Sequence, residues 1–463
     1  MHFIGIGGIG MSGIAEIFLN QGHQVSGSDL SLNDTTERLV RLGAVIYTGH
    51  ERANLTDGID VVVTSSAVKA DNPEVLAAKE RGIPVIPRAE MLAEIMRGKT
   101  GIAIAGTHGK TTTTSMTAQI LMKAGLDPTV VVGGKVEAIG SNAKMGQGLV
   151  TVVEADESDG SFHLLPATHA VITNIDLDHM EYYGTRENLN EAFIQFTKKL
   201  PFYGRTWLCI DDLGVRQIVP ALTKPFLTYG FSEDADLMVR NLSVISGGRQ
   251  IFEVWFRQDR SQERELLGQI TLNVLGNHNV LNAMGAIGVA MSVGAPFFAA
   301  QEALQAFKHV RRRFDERYYS EKTGIRVVDD YGHHPTEIRA VLATAKQTGP
   351  GRIVTVFQPH RYSRTQLCWD EFLTCFRETD LLVMLPIYAA SEEPVEGVST
   401  SALLRGIQKV LGSSIEIHEA SSLDEAEAWV LKNRKPDDLI LTLGAGSITK
   451  LGDRLASQLN EYD

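Results

Sequence analysis

The sequence predicts an α/β protein of three domains, and three observations predict it. Two glycine turns, Gly5-Ile6-Gly7-Gly8-Ile9-Gly10 and Gly106-Thr107-His108-Gly109-Lys110-Thr111, each lie between an apolar strand and a helix. Strands alternate with helices along most of the chain, the pattern of parallel sheets, and at about 150 residues per domain its 463 residues make three domains. Polar residues cluster just after strands, at the edge where open α/β sheets bind ligands. The expected division is a Rossmann-like N-terminal domain over 1–97, a central P-loop ATPase-type domain over 98–313 and a second Rossmann-like domain over 314–463.

The N-terminal domain opens with a strand His2–Ile6, the first glycine turn, a helix to about Asn20 and a strand ending at Asp29. Asp29 stands about 20 residues beyond the last glycine, where dinucleotide folds place the acid that holds a ribose hydroxyl. Strands Val45–Tyr47 and Val61–Thr64 follow, so His50, Ser65 and Ser66 fall at the ligand edge. A helix from Ala89 closes the domain.

The central domain begins with the strand Ile102–Ala105 and the turn into Thr111. Gly106 and Gly109 permit backbone angles that side chains forbid, Lys110 supplies a charge for phosphates, and the Thr111 hydroxyl suits Mg²⁺. The usual P-loop glycine five residues before Gly109 is Ile104, so this is a shortened loop. The strand Val150–Val153 runs into Glu154-Ala155-Asp156-Glu157-Ser158-Asp159, and Glu154 is the candidate magnesium acid. A strand Ala170–Thr173 leads to Asn174 through His179, and His179 is expected as a second ligand from a strand neighbouring that of Glu154. Strands and hairpins are expected from Gly204 to Leu275, with a turn at Gly247-Gly248. Gly276 opens an apolar helix from which Asn279 and Asn282 point outward on one face.

The last domain repeats the rhythm, with strands at Ile325–Asp329, Ile353–Phe357, Leu381–Leu385, Ile415–His418 and Leu439–Leu443. Asp330-Tyr331-Gly332-His333-His334 follows the first and His360-Arg361-Tyr362-Ser363-Arg364 the second. Paired arginines there can grip a carboxylate or phosphate bidentately.

Composition bounds the partners. The chain is 43% hydrophobic and 22% charged with net charge −12, which argues against nucleic acid or an anionic membrane as main partner. Cys209, Cys368 and Cys375 form no C-x-x-C pair, which fits buried thiols in a reducing, cytoplasmic compartment. No run of about 18 apolar residues and no signal-peptide pattern appears, so neither secretion nor membrane spanning is expected.

In their order along the chain, Gly5 to Ser12, Gly106 to Thr112, Glu154 to Asp159, Asn174 to His179, Gly276 to Asn282, Asp330 to Pro335 and His360 to Arg364 resemble the motifs of the Mur ligases. The resemblance covers nearly the whole chain. It implies three domains taking in turn a UDP-sugar, ATP with Mg²⁺ and an amino acid, in a cytoplasmic monomer or homodimer of peptidoglycan synthesis. It implies transfer of L-alanine to the lactyl carboxylate of UDP-N-acetylmuramate through an acyl phosphate. The Gly-Ile-Gly-Gly-Ile-Gly-Met form of the first turn favours alanine over murein tripeptide.

The same resemblance assigns residues. Gly7, Gly8, Ile9, Gly10, Met11, Ser12, Asp29, His50, Ser65 and Ser66, with Glu157 and Ser158, would hold the UDP-sugar. Gly106, Thr107, His108, Gly109, Lys110, Thr111 and Thr112, with His278, Asn279, Asn282, Arg313 and Asp330, would bind ATP, Asp330 at its ribose. Thr111, Glu154 and His179 would hold metal. Tyr331, His333, Arg361 and Arg364 would surround the alanine, and the base for its amine is His333, His334 or water. Most Mur ligases of other specificities carry a carbamylated lysine about fifteen residues after the metal histidine. That position falls near Ile194, so Lys198 and Lys199 are read as plain surface lysines.

Two rival readings follow from single motifs. The first turn with Asp29 would suit an NAD-dependent oxidoreductase, which has no use for Gly-Lys-Thr beside an acid. A nucleotide switch would leave the acid, histidine and arginine clusters without a task.

Overall fold

A computed structural model describes residues 1–65, 67–136, 141–245, 248–259, 261–308 and 310–462. Three sheets organise them. The chain falls into two compact units: 1–273 with 279–308, which holds the first two sheets, and 274–278 with 309–463, which holds the third.

The first sheet contains β1 (His2–Ile4), β2 (Ser26–Asp29), β3 (Val45–Thr48), β4 (Val62–Thr64) and β5 (Val85–Pro87). They run in the order β3-β2-β1-β4-β5, and every pairing is parallel. The order reverses at β1, so the carboxyl ends of β1, β2 and β4 frame the crevice in which such sheets bind ligands.

The second sheet contains β6 (Thr100–Ala105), β7 (Thr129–Val136), β8 (Ser141–Lys144), β9 (Val150–Glu154), β10 (His169–Ile172), β11 (Arg205–Cys209), β12 (Phe226–Gly230), β13 (Leu237–Ile245), β14 (Arg249–Phe256) and β15 (Glu265–Leu272). Its order is β15-β14-β13-β12-β11-β10-β6-β9-β7-β8. The P-loop strand β6 is central, fully buried from Gly101 to Ala105, and parallel to both β9 and β10. The expectation that the strands of His179 and Glu154 adjoin is therefore corrected, since β6 stands between β10 and β9. Strands β13 to β15 are an antiparallel extension. The expected turn at Gly247 lies outside the described residues.

The hairpin β7–β8 carries no sequence signal strong enough to stand out. It packs against the helix Ile9–Asn20, where Ser141 Oγ donates to Glu16 Oε2 at 3.0 Å and Asn142 Nδ2 donates to the Ile9 carbonyl. That helix is consequently buried from Met11 to Phe18, against its own sheet and against the hairpin. The helix Asn277–Ser292 lies close on the central sheet because Gly285 and Gly288 face Tyr229 and Trp207, where a Cβ would come within 2.9 Å of the Tyr229 hydroxyl and 2.6 Å of the Trp207 ring. Asn279 and Asn282 are buried rather than outward-pointing.

The third sheet contains β16 (Asp315–Tyr319), β17 (Arg326–Asp330), β18 (Arg352–Phe357), β19 (Leu381–Met384), β20 (Glu416–Glu419) and β21 (Asp438–Leu443). They run in the order β16-β17-β21-β18-β19-β20, parallel except for β16. Apolar helix faces cover both sides of this sheet and form two separate cores, one around Phe357 and Phe376 and one around Val356 and Leu455. Among the described residues no helix is long and apolar enough to cross a membrane.

Candidate active site

The loop between β6 and the helix Lys110–Lys123 is held from beneath by the segment after β10. The Asn174 side chain accepts from the His108 amide at 2.8 Å and donates to the His108 carbonyl at 2.9 Å. Thr173 Oγ1 donates to that carbonyl at 2.6 Å, and the Asp176 amide donates to Thr107 Oγ1 at 2.9 Å. His108 Nε2 lies 3.3 Å from Asp176 Oδ2. Gly109 has φ +83°, and a Cβ there would lie 2.5 Å from Asn282 Oδ1, which accepts from Thr113 Oγ1 at 3.2 Å. Thus Asn282 braces the loop and the helix it opens.

Four acidic or basic groups meet above this loop. Lys110 Nζ donates to the carbonyls of Gly106 and Thr107 at 2.7 and 3.0 Å, and pairs with both Glu157 oxygens at 2.9 and 2.8 Å. Burial alone would lower the Lys110 ammonium, but Glu157, Glu154 and Asp156 outweigh it and hold its pKa above the ordinary value. Burial pushes the Glu157 carboxyl up in spite of Lys110. Asp156 is paired with Arg88 at 2.7 Å, and although burial opposes ionisation, Lys110, Arg88 and Ser158 bring it down to about 2.

Glu154 differs. It accepts from Thr111 Oγ1 at 3.0 and 3.1 Å and from the Gly133 amide at 2.7 Å, and among the described residues no cation pairs with it. A carboxyl group touching a hydroxyl at a P-loop, in surroundings with more acid than base, fits a hard divalent cation with oxygen ligands. His179 lies at φ +56° with Nε2 3.8 Å from Glu157 Oε1 and 3.7 Å from Asp178 Oδ2. Burial would lower its pKa, but Glu181, Asp178 and Glu157 raise it instead. Its nearest acid across the loop is Glu157 rather than Glu154.

At the crevice of the first sheet a cavity of about 540 Å³ is lined by Gly7, Gly8, Ile9, Gly10, Met11, Asp29, His50 and Ser65 among the expected residues. Asp29 Oδ2 accepts from the Gly7 amide at 2.8 Å, so this carboxylate fixes the glycine turn. Ser12 is buried beside the lining, its hydroxyl donating to the Ile9 carbonyl at 3.0 Å, and Ser66 lies outside the described residues. Glu157 and Ser158 do not line this cavity, whereas Asp159 and Ser161 do. Arg88, absent from the sequence-based list, lines it while its guanidinium reaches Asp156. Its signal was position alone, a cation directly after strand β5.

In the second unit, Tyr331 is covered by the guanidinium groups of Arg312 and Arg313 at 4.8 and 5.2 Å, and its ring meets that of His333 at 5.1 Å. His333 lies 5.8 Å from His360, which stacks on Tyr388. His333 Nδ1 is 3.1 Å from the Tyr331 carbonyl and 3.4 Å from Glu337. His334 is fully buried, capping the helix Pro335–Gln347, with Nε2 3.4 Å from Cys368 Sγ.

Arg361 is half-exposed, at φ +70° and 3.9 Å from Glu392, whereas Arg364 is buried against His360 at 3.2 Å. Asp330 is buried too, and its two oxygens accept from the Phe314 and Gly332 amides at 2.6 and 2.7 Å. Burial raises its pKa to about 6 against the pull of Arg313 and these amides. His278 adjoins Gly276 in this same unit.

Known proteins share this architecture. Residues 1–100 match the Mur ligase family catalytic domain, 104–290 the Mur ligase middle domain and 312–446 the Mur ligase glutamate ligase domain. The UDP-N-acetylmuramate–L-alanine ligase of Trichlorobacter lovleyi is 51% identical over 462 residues, covering 99% of this chain and 98% of that protein. That of Solidesulfovibrio magneticus is 52% identical over 454 residues, covering 98% and 96%. The crystal structure of UDP-N-acetylmuramate-alanine ligase MurC from Thermotoga maritima superposes with a TM-score of 0.81 at 29% identity, covering 100% of this chain and 99% of that one. A murein peptide ligase from Psychrobacter arcticus shares the fold at TM-score 0.72 and 23% identity, covering 99% and 98%. With a glycine-turn cavity, a shortened P-loop whose Thr111 meets Glu154, and three domain models matched in order, the chain belongs to the Mur ligase family.

Proposed function

We propose that this protein joins L-alanine to the lactyl carboxylate of UDP-N-acetylmuramate at the expense of ATP, releasing ADP and phosphate. The observation that carries the reading is the P-loop in which Lys110 is held charged while Glu154 and Thr111 share a contact left for a cation. The named relatives, half identical over nearly the full chain, support the choice of substrates.

A carboxylate is a poor acylating agent, so it must first become an acyl phosphate. The lactyl carboxylate oxygen attacks the γ-phosphorus, the bond to the β-phosphate oxygen breaks, and ADP leaves. Lys110 offsets the charge gathering on the transferred group, and the loop amides around Gly109 orient it. Thr111 and Glu154 would hold Mg²⁺, which when bound supplies charge neutralisation on the triphosphate. The neutral alanine amine then attacks the acyl carbon, and phosphate departs with the original carboxylate oxygen.

On the C-terminal sheet edge, Arg361 is the accessible cation for the alanine carboxylate, and buried Arg364 orients His360. His333 is the remaining histidine base, because His334 is enclosed and occupied as a helix cap. Asp330 is better suited to shaping the turn before Tyr331 than to reaching a ribose, since both its oxygens are engaged.

Phosphate release with UDP-N-acetylmuramate is the test, compared across L-alanine, glycine, L-serine and murein tripeptide. Release with L-alanine well above the others is expected. Release with the tripeptide alone would replace this function with murein recycling.

A further inference from the structure

At the edge of the third sheet stands an arginine that the reaction above does not use. Arg312 precedes β16 and sits at φ +63°, in the left-handed region. Its Nε is 3.4 Å from Oδ2 of Asp329, a fully buried residue of β17 whose other oxygen accepts from Thr442 Oγ1 at 2.7 Å. Its Nη2 donates to the Gly444 carbonyl at 2.7 Å, in the turn after β21. Its guanidinium lies over the Tyr331 ring, 4.8 Å from the centroid, and its own carbonyl accepts from the Tyr331 amide at 2.9 Å. All of these groups belong to the second unit.

The Tyr331 ring depends on such a support. Among the described residues its hydroxyl makes no hydrogen bond, so the ring is placed by what lies over its face and against its edge. Those neighbours are the guanidinium groups of Arg312 and Arg313 and the His333 ring, which meets it edge-on at 5.1 Å. A cation attracts an aromatic face only where it stands over the ring, and a planar guanidinium held at two of its nitrogens has one place to stand. Arg313 reaches Glu337 at 3.5 Å and is the residue that the family resemblance gives to ATP. Arg312 instead directs its polar contacts to Asp329 and Gly444, so it acts on the ring from within the protein.

We propose that Arg312 is a positioning residue for Tyr331: anchored by Asp329 and by the Gly444 carbonyl, it holds the aromatic ring against His333 on the alanine side of the site. This rests on the reading that places Tyr331 and His333 at the alanine. The contacts form a chain from the sheet interior to its edge, in which the buried carboxylate sets the guanidinium, the guanidinium sets the ring, and the ring backs the imidazole.

The test is steady-state kinetics of the full chain, varying each substrate in turn, for wild type, Arg312→Gln, Arg312→Gly, Tyr331→Ala and Arg312→Gln/Tyr331→Ala, with thermal unfolding of each. Arg312→Gln is expected to raise KM for alanine about tenfold, the scale of a desolvated cation–π contact, while KM for ATP and for UDP-N-acetylmuramate stays within about twofold of wild type. In the Tyr331→Ala background the same change is expected to move KM for alanine by less than about twofold, because the ring it positions is gone. A purely structural role would lower melting temperature without splitting the KM values. Arg312→Gly keeps the test decisive if the glutamine variant does not fold, since glycine enters φ +63° without strain. Should Tyr331→Ala not turn over, the split between the alanine and ATP values decides alone. Unaltered KM for alanine in the Arg312 variants, an equal rise for alanine and ATP, or the same rise with and without Tyr331 overturns the proposal. Absence of alanine-dependent phosphate release in the wild type would sink the functional reading, whereas normal release with Arg312 variants indistinguishable from wild type sinks only this assignment.

Discussion

Thr111 Oγ1 lies 3.0 and 3.1 Å from the two carboxylate oxygens of Glu154, a contact between the first turn of the P-loop helix and the end of the adjacent strand β9. Because both atoms are oxygen ligands for a hard cation, the pair predicts a metal requirement that one substitution on either side should expose. Glu154→Gln and Thr111→Ala should each raise the Mg²⁺ concentration for half-maximal turnover by about tenfold or more, while Thr111→Ser stays near wild type. Metal titrations of phosphate release check this, and a Glu154→Gln enzyme with an unaltered Mg²⁺ profile would contradict it.

Lys110→Ala should abolish alanine-dependent ATP hydrolysis while leaving UDP-sugar binding intact. It should also leave Glu157 buried without its partner, at a cost of about 3 kcal/mol or more. The double variant Lys110→Ala/Glu157→Gln should recover melting temperature without recovering turnover. Thermal unfolding and phosphate release separate the two effects, and recovery of both would show that Lys110 serves packing alone.

Asp330 carries a pH signature in the C-terminal unit. Its folded pKa of about 6 exceeds the ordinary 3.8, so the folded state binds the extra proton between those values and stability falls as pH rises through that window. Above it the penalty amounts to about 3 kcal/mol. Asp330→Asn should therefore gain stability relative to wild type near pH 8 and lose that advantage near pH 4, as read by chemical denaturation. A difference that does not change with pH would mean that the carboxyl is not strained by burial.

His333→Ala should lower the rate at limiting alanine about a hundredfold, as expected for loss of a general base, whereas His334→Ala should chiefly lower melting temperature. Initial rates against alanine concentration, with thermal unfolding of both variants, check the division. Normal alanine kinetics in His333→Ala would leave water as the base.

The sites legible in the sequence were those built from contiguous motifs. The run Gly106 to Thr111 needs only a strand, a glycine turn and a helix, and each is local, so its geometry follows from residue order. Glu154 was readable for the same reason, as an acid at the end of an apolar strand. What escaped is pairing between distant residues. Strand order decides that β6 separates Glu154 from the strand before His179, and no local pattern encodes it. Arg88 looks like any helix-start cation until its guanidinium is seen on Asp156, 68 residues later. Asp330, His334 and Arg364 read as equals of their neighbours, and only burial distinguishes them. The hairpin β7–β8 was missed because glycine and polar residues interrupt its alternation, although it carries Ser141 and Asn142 to the first helix.

The central claim, that the P-loop activates the substrate carboxylate as an acyl phosphate, is tested most directly by isotope transfer. UDP-N-acetylmuramate labelled with ¹⁸O in its lactyl carboxylate is turned over with ATP and L-alanine, and the phosphate released is examined by mass spectrometry. The account predicts that each turnover moves one carboxylate oxygen into phosphate, because the acyl carbon loses that oxygen when the amine attacks. Unlabelled phosphate accompanying formation of the alanyl product would contradict it.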